Sequence, residues 1–396
     1  MEPTDKSRPR VPAPPDAPSS LQLSSVAPTP RRSPASRVTP EQTPPVPDDR
    51  FAGWDAGPDP VTAICEYNVA GDWELRQELV EFSLGGSSKC TISIPGRGLS
   101  ARHCLLERRA RKVRLHDLNS THGTFVWERK LEGFADLSPG HMFTALPMTF
   151  VCLNDEMRQY RPTVFEILGS GAARSPDWVM VQAVMGSGPM LLTGKAGCDL
   201  DRLARAIHAM SSRRNRKAVE VATVPPEGAA QVALVQQASK TSLILPLEDE
   251  GAPLDPDFVS RLFDARRGVR LLALASSPDI ARRALTDANV DLMQHIPVCA
   301  LAYRSGESHT LLDRQFTERA FHLRVGDLTP ANQDALKTYH WPGNFAELRE
   351  IADAIIAHTT LGGLRPAAAS LGVSRQKLSR RLARVGLKLP LFCQDE

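Results

Sequence analysis

The sequence predicts a multidomain chain in which an all-β unit, an α/β unit and an all-α unit follow a proline-rich tail. The tail is indicated by 13 prolines among the first 50 residues. Short alternating apolar runs come next, and then apolar runs of strand length that alternate with helical patterns. Two short helical patterns with a basic face end the chain. The expected segments are a disordered tail (1–60), a β unit (61–155), an α/β unit (162–325), a short connection (326–343) and a helix-turn-helix (344–390).

Composition narrows the class of protein. The 396 residues carry a net charge of only +3, so any nucleic-acid binding must come from a local cluster of charge. The seven cysteines are scattered and form no C-x-x-C pair, which indicates neither a disulfide framework nor a zinc site. No apolar run is long enough to span a bilayer, and the first residues lack the apolar core of a signal peptide. We expect a cytoplasmic protein with no cofactor, no metal and no membrane contact.

The tail is too poor in apolar residues to offset the entropy of ordering it. Its potential phosphorylation sites each precede a proline: Thr29, Ser33, Thr39 and Thr43. A merely solvated tail is the favoured interpretation, because Ser-Pro and Thr-Pro pairs arise readily in such a composition.

Three polar motifs lie between the strands of the β unit. They are Gly85-Gly86-Ser87-Ser88, Ser100-Ala101-Arg102-His103 and the stretch from Asp117 to Thr124. Their order resembles the forkhead-associated (FHA) domain, a β-sandwich whose loops bind phosphothreonine peptides. Hydroxyls, a cation and backbone amides suit a phosphate dianion.

The resemblance implies that Ser100 and Thr121 contact the phosphate, and that His103 and Gly123 set the loops. The full predicted site is Ser100, Arg102, Ser120, Thr121 and His122. The family has Arg where this chain has Gly86, and Arg102 is a candidate to replace part of that charge. The family also has Asn at the position of His122. An FHA fold used only for protein contact therefore stays open.

A phosphate-loop layout spans Met190 to His208 in the α/β unit: an apolar run, a turn with Gly194 and Gly197, and a helix. A working loop needs Gly-Lys before its Ser or Thr, and here Asp199 and Leu200 take those places. A carboxylate at a helix N-terminus can cap the helix and would repel a phosphate.

The surrounding sequence resembles the AAA+ domain of sigma-54-dependent activators. The matching segments are Ile167–Ser170, Leu191–Gly194, Ala204–His208 and Tyr339–Asn344. By this resemblance the Walker B carboxylates fall on Pro246 and Leu247, the arginine sensor falls on Ala346, and the sigma-contact loop has no counterpart. The resemblance implies an AAA+-like core without ATPase activity, in which residues 326–343 are a lid remnant. An active enzyme with deviant motifs, in which Glu248 shifts register toward a metal, is the alternative.

The last two helical patterns predict a helix-turn-helix. Leu378, Leu382 and Val385 form a core stripe, and seven basic residues without an acidic one lie between Arg365 and Lys388. The segment Ala367–Leu378 resembles the Fis-type DNA-binding domain. The predicted DNA-binding residues are Ser374, Arg375, Gln376, Lys377, Ser379, Arg380, Arg381 and Arg384.

Together these patterns predict a transcriptional regulator that binds double-stranded DNA as a homodimer. Its expected protein partner is a phosphothreonine-bearing protein or its own tail, and RNA polymerase is a further candidate partner. Two alternatives remain: an ATP-dependent sigma-54 activator, and a phosphopeptide scaffold without sequence-specific DNA binding.

Overall fold

The computed structural model describes residues 59–169, 173–251, 253–304 and 306–392. The predictions for the tail up to residue 58, with its Ser-Pro and Thr-Pro pairs, lie outside these residues, as do those for Ser170 and Cys393. The cysteines within the described residues are all free thiols. In this part of the chain, no helix has both the length and the apolar character that a membrane span requires.

Residues 63–153 form a β-sandwich. Its strands are β1 (Ala63–Glu66), β2 (Trp73–Glu74), β3 (Glu81–Gly85), β4 (Ile92–Ser93), β5 (Cys104–Arg109), β6 (Lys112–Asp117), β7 (Thr124–Val126), β8 (Arg129–Lys130), β9 (Phe134–Leu137), β10 (Met142–Ala145) and β11 (Met148–Leu153). One sheet has the order β2-β1-β11-β10-β7-β8, and the other has the order β4-β3-β5-β6-β9.

Both faces of the β1–β11 pair are buried. Ile64 and Phe150 face the interior of the sandwich, where the Phe143 and Phe150 rings stack with centroids 5.1 Å apart. Because side chains alternate along a strand, Cys65 and its partner Val151 face the other way. They pack against the helices that follow the sandwich. The sandwich and the next unit therefore share a core.

The α/β unit contains a parallel five-stranded sheet. Its strands are β12 (Met190–Thr193), β13 (Val219–Glu220), β14 (Ser242–Pro246), β15 (Arg270–Ala275) and β16 (Gln294–Pro297), in the order β13-β14-β15-β12-β16. Its helices are α1 (Asp155–Leu168), α2 (Pro176–Met185), α3 (Leu200–Met210), α4 (Gly228–Gln237), α5 (Pro256–Leu262), α6 (Pro278–Leu285) and α7 (Asp287–Asp291).

The sheet is covered on both sides, as parallel sheets require. Met190 and Leu192 of β12 pack on α1, α2 and α3, while Leu191 packs with the core around α4, α5 and α6. The strand order reverses on the two sides of β12, and ligand crevices in open α/β sheets lie beyond the strand ends at such a point. The loop from Gly194 to Asp199 occupies this position.

The remaining helices share one core that extends from Leu301 to Leu391. They are α8 (Glu307–Glu318), α9 (Pro330–Thr338), α10 (Asn344–Leu361), α11 (Leu364–Ser370) and α12 (Arg375–Arg384). The segment after α12 returns to α9, where the Asn332 side chain donates to the Lys388 and Leu391 carbonyls at 2.9 and 3.0 Å. The core thus continues across residue 344, where the sequence places a boundary.

A buried ion pair joins the sandwich to the α/β unit. The Arg161 guanidinium on α1 donates to both carboxylate oxygens of Asp177 on α2 at 2.8 and 2.9 Å. Arg161 also donates to the carbonyls of Val69 and Gly71 in the sandwich, and Asp177 accepts from the Asn68 amide at 2.7 Å. One pair of charges therefore holds the β1–β2 loop against two helices.

Several expected elements differ from the structure. The sequence predicts one helix over 257–266, but helix α5 ends at Leu262 and a 3-10 turn follows at Ala265–Arg267. Helix α1 runs through residue 162, where the sequence places the start of the α/β unit, and it contains Pro162. It begins with the Asn154 side chain accepting from the Met157 amide at 2.9 Å. The apolar run Met190–Thr193 predicts a strand, and the strand is present with those bounds.

Candidate functional site

Two loops at one end of the sandwich bring Ser100 and Thr121 together. The loop that holds Ser100 leads into β5, and the loop that holds Thr121 leads into β7. The Thr121 amide donates to Ser100 Oγ at 2.9 Å, and the two hydroxyl oxygens are 3.2 Å apart. Thr121 is exposed and Ser100 is half-buried. This arrangement presents two hydroxyls to an incoming group that can accept or donate hydrogen bonds.

His103 fixes the distance between the two loops. Its ring is fully buried: Nδ1 accepts from the Ser100 amide at 3.3 Å, and Nε2 faces the Gly123 carbonyl at 3.3 Å. These contacts require the neutral tautomer with the proton on Nε2. Burial lowers the pKa of His103, which favours that neutral form.

Asp117 organises the second loop from within. Its carboxylate accepts from the Ser120 hydroxyl at 2.7 Å and the Thr124 hydroxyl at 2.6 Å, and Ser120 Oγ in turn accepts from the Gly123 amide. Burial alone would raise the pKa of Asp117, but the hydrogen bonds from Thr124 and Ser120 hold it below its usual value. The hydroxyl of Ser120 is thus engaged inside the turn, and its contact with a ligand stays a prediction.

The predicted residues Arg102 and His122 are exposed beside the hydroxyl pair. On the third loop, a side chain at Gly85 would place its Cβ 2.5 Å from the Ala101 carbonyl oxygen. The Gly86 amide donates to the Ser100 carbonyl at 2.9 Å. The site therefore has two hydroxyls and one nearby arginine, but it has no side chain at Gly86.

The start of α10 packs against the loop of the phosphate-loop layout. The Asn344 side chain donates to the Ala196 carbonyl at 2.8 Å, and the Phe345 amide donates to the Gly197 carbonyl at 3.0 Å. Gly197, at φ +79°, comes so close that a Cβ there would lie 2.3 Å from the Gly343 carbonyl oxygen. Residues 343–345 therefore pack directly against Ala196 and Gly197 of this loop.

Asp199 faces α10 instead of capping α3. Its side chain makes no capping hydrogen bond, although it stands at the N-cap with a left-handed backbone. Its carboxylate pairs with Arg349, whose Nη2 lies 2.6 Å from Oδ1, and with Arg202 at 3.7 Å. The expected cap is wrong because a guanidinium is a stronger partner for a carboxylate than a backbone amide. Leu200, at the position of the missing lysine, packs partly buried against the core.

The two positions that the resemblance assigns to the Walker B carboxylates, 246 and 247, hold no acidic residue. Leu247 is buried, whereas Glu248 is exposed on the loop that follows β14. Across the described ranges, no cluster of three or more His, Cys, Asp or Glu side chains could hold a metal ion.

Helix α12 and its N-cap present most of the predicted DNA-binding residues to solvent. Ser374 caps α12 by accepting from the Lys377 amide at 3.2 Å, and Leu378 and Leu382 are buried as predicted. The exposed predicted residues are Ser374, Arg375, Gln376, Lys377, Ser379, Arg380 and Arg384.

Two of the predicted arginines already have acidic partners. Arg384 pairs with Glu347 at 2.6 Å, and Arg381 pairs with Glu350 at 3.2 Å. These pairs attach α12 to α10, so two of the predicted basic side chains are already paired with carboxylates of the same chain. The sequence contains one indication of these ion pairs. Glu347 and Glu350 are three residues apart, so both carboxylates lie on one side of α10.

We expect the wild-type protein to lose its stability advantage over His103→Gln as the pH falls from about 7.5 to 5.5. The folded protein depresses the pKa of His103, so the neutral ring contributes stability above its ordinary pKa of about 6.5 and loses it below. Thermal unfolding of both proteins across this range measures the difference. A difference that stays constant with pH would contradict the assigned tautomer.

A family model of the FHA domain matches residues 82–144. This match confirms the FHA domain that the three polar motifs predict. A comparison with curated proteins gave no match.

Solved structures also resemble parts of the chain. One, from a study of phosphothreonine-dependent FHA domain interactions, is 22% identical and covers 23% of this chain and 93% of its own, with a TM-score of 0.21. The FHA domain of a Chlamydia trachomatis protein is 19% identical over 23% of this chain and 95% of its own, with a TM-score of 0.22. NtrX from Brucella abortus in complex with ATP is 18% identical over 59% of this chain and 68% of its own, with a TM-score of 0.36.

Proposed function

We propose that this chain is a DNA-binding transcriptional regulator whose FHA domain recognises phosphothreonine and whose α/β core is not an ATPase. The observation that carries the proposal is the Ser100–Thr121 hydroxyl pair, set by a buried histidine at the loop end of an FHA domain. At the other end of the chain, α12 presents an exposed basic face.

Phosphothreonine suits the hydroxyl pair. A phosphate dianion offers three acceptor oxygens, and the two hydroxyls can each donate to one of them. Arg102 is exposed next to Ser100 and adds a charge-assisted contact. The phosphorylated ligand is a partner protein or the Thr-Pro pairs of the chain's own tail.

DNA binding by α11 and α12 rests on charge and exposure. Among the described residues, no carboxylate is paired with Arg375, Lys377 or Arg380. Arginine and Gln376 can form paired hydrogen bonds with guanine and adenine edges, while lysine neutralises phosphates. We propose that the protein binds as a homodimer, so that two copies of α12 reach half-sites about one helical turn apart.

The proposal that the chain has no ATPase activity rests on the contacts between the Gly194–Asp199 loop and α10. The Asp199 carboxylate and Arg349 occupy the N-terminus of α3, where a nucleotide phosphate would be held. A phosphate there would have to displace both this pair and the Asn344 contact with Ala196. RNA polymerase remains a candidate partner that does not require nucleotide.

We expect Ser100→Ala to weaken binding of a phosphothreonine peptide library by at least about ten-fold, because a hydrogen bond to a charged group contributes about 1.5–3 kcal/mol. Fluorescence anisotropy with peptides from a selected library measures this loss. Ser212→Ala, an exposed serine of the α/β unit, is the matched control and should bind as the wild type does. Equal binding of unphosphorylated peptides, or no enrichment at all, would contradict phosphothreonine recognition and leave an FHA fold used only for protein contact.

We expect the full-length protein to select a sequence from a random DNA pool, with an affinity that falls steeply as salt rises. Replacing Arg375 and Arg380 together by Ala should remove the sequence preference, at about 1–3 kcal/mol for each lost base contact. Arg266→Ala, a similarly exposed arginine of the α/β unit, should leave selection unchanged. Failure of the wild type to select any sequence would favour the phosphopeptide scaffold.

We expect millimolar Mg-ATP to leave the melting temperature unchanged, because the protein should not bind it. If ATP did bind and were present at 100 times its Kd, it would stabilise the folded state by about 2.7 kcal/mol and raise the melting temperature. A coupled phosphate-release assay on the same sample should stay at background. Hydrolysis above background that is lost in Asp199→Ala or Glu248→Ala would instead support an ATP-dependent sigma-54 activator.

A further inference from the structure

A second cation lies beside the hydroxyl pair on a different strand. Lys130 belongs to β8, the edge strand of its sheet, and it pairs with Phe125 of β7. Strand β7 follows directly after the loop that holds Thr121. The sheet therefore brings a lysine from the next hairpin back to the candidate phosphopeptide site.

The stem of Lys130 lies over Gly123. A Cβ at Gly123 would come within 3.0 Å of Lys130 Cε and 3.8 Å of Cδ. The absence of a side chain at Gly123 thus makes room for the lysine, whose ammonium lies one bond beyond Cε. The ammonium therefore lies beside Gly123, two residues after Thr121 in the same loop.

The ammonium is available for a ligand. Lys130 is exposed, and among the described residues no carboxylate forms an ion pair with it. An ammonium has three donors and no acceptor, so its complement is an anionic oxygen. At physiological ionic strength charges are screened over about 8 Å, so the ammonium acts most strongly on an anionic group in direct contact with it.

We infer that Lys130 receives a carboxylate of the bound peptide next to the phosphothreonine, and that this domain selects acidic flanking sequence. The inference rests on the proposed phosphothreonine recognition and names the substrate class of that site. The phosphate itself belongs to Ser100 and Thr121, whose hydroxyls lie 3.2 Å apart. Lys130 lies over Gly123, the residue whose carbonyl faces His103. A peptide residue beside the phosphothreonine would pass over Gly123 and meet Lys130.

The test uses the full-length protein and a set of synthetic phosphothreonine peptides. A single Asp is moved from three residues before to three residues after the phosphothreonine in an otherwise neutral peptide, and a neutral peptide without Asp serves as reference. Wild type should prefer Asp at one or two of these positions by about two- to five-fold, the range of an exposed ion pair. Lys130→Met should remove that preference and bind the neutral peptide as the wild type does.

Lys112→Met is the matched control, because Lys112 is exposed at the opposite end of β6 from the site. It should keep the preference for Asp. A preference that survives in Lys130→Met would overturn the inference, as would a wild type that binds the neutral peptide and all Asp peptides equally. An equal loss for every phosphopeptide in Lys130→Met would assign the lysine to the phosphate and also overturn it. If no phosphopeptide binds the wild type, the proposed recognition fails and this inference fails with it.

Discussion

The buried pair of Arg161 and Asp177 sets the arrangement on which the rest of the fold depends. Both side chains are almost without solvent, and their remaining polar atoms are used by the backbone of the β1–β2 loop. A buried ion pair contributes little net stability compared with apolar packing, but leaving one partner alone costs about 3–5 kcal/mol. The pair therefore acts mainly on geometry: it gives the sandwich one position against α1 and α2. The shared core beneath it, which includes Cys65 and Val151, then has a defined partner surface.

A second ion pair joins two segments at the other end of the α/β unit. Asp199 and Arg349 are 150 residues apart, and their contact joins the phosphate-loop segment to α10. Asn344 strengthens the same junction, since its side chain bonds both Ala196 and the Leu301 amide. The order of domains along the chain is therefore also an order of direct contacts, which run from the FHA domain through the sheet to the C-terminal helices.

Local patterns explain which parts of the fold the sequence could predict. The strand at Met190–Thr193 has all four residues buried, so its apolar run shows both its type and its bounds. Helix α1 is not predicted by the sequence analysis, and it contains Pro162, a residue that disfavours helix interiors. Asn154 followed by two acidic residues is nevertheless a recognisable start signal. The three polar motifs of the sandwich were sufficient to predict the FHA domain because they lie in loops whose backbone needs those residues.

Ion-pair partners that lie far apart in the sequence explain which parts of the site the sequence could not predict. The sequence shows that Asp199 stands at a helix N-terminus, but it does not show that Arg349 will reach it. In the same way, Arg381 and Arg384 look like free surface charges until α10 brings Glu350 and Glu347 beside them. Ser120 differs, because its partner Asp117 is three residues away and an Asx-type turn could have been recognised from the sequence.

The close approach of Gly197 to the Gly343 carbonyl has an evolutionary consequence. Placing glycine and lysine at residues 199 and 200 would change two side chains, yet the main chain of residue 343 would still lie against Gly197. Separating the two segments would require α10 to begin elsewhere, which would disturb the helical core that it supports. Substitution in this loop is therefore limited by the packing of a helix that lies far away along the chain.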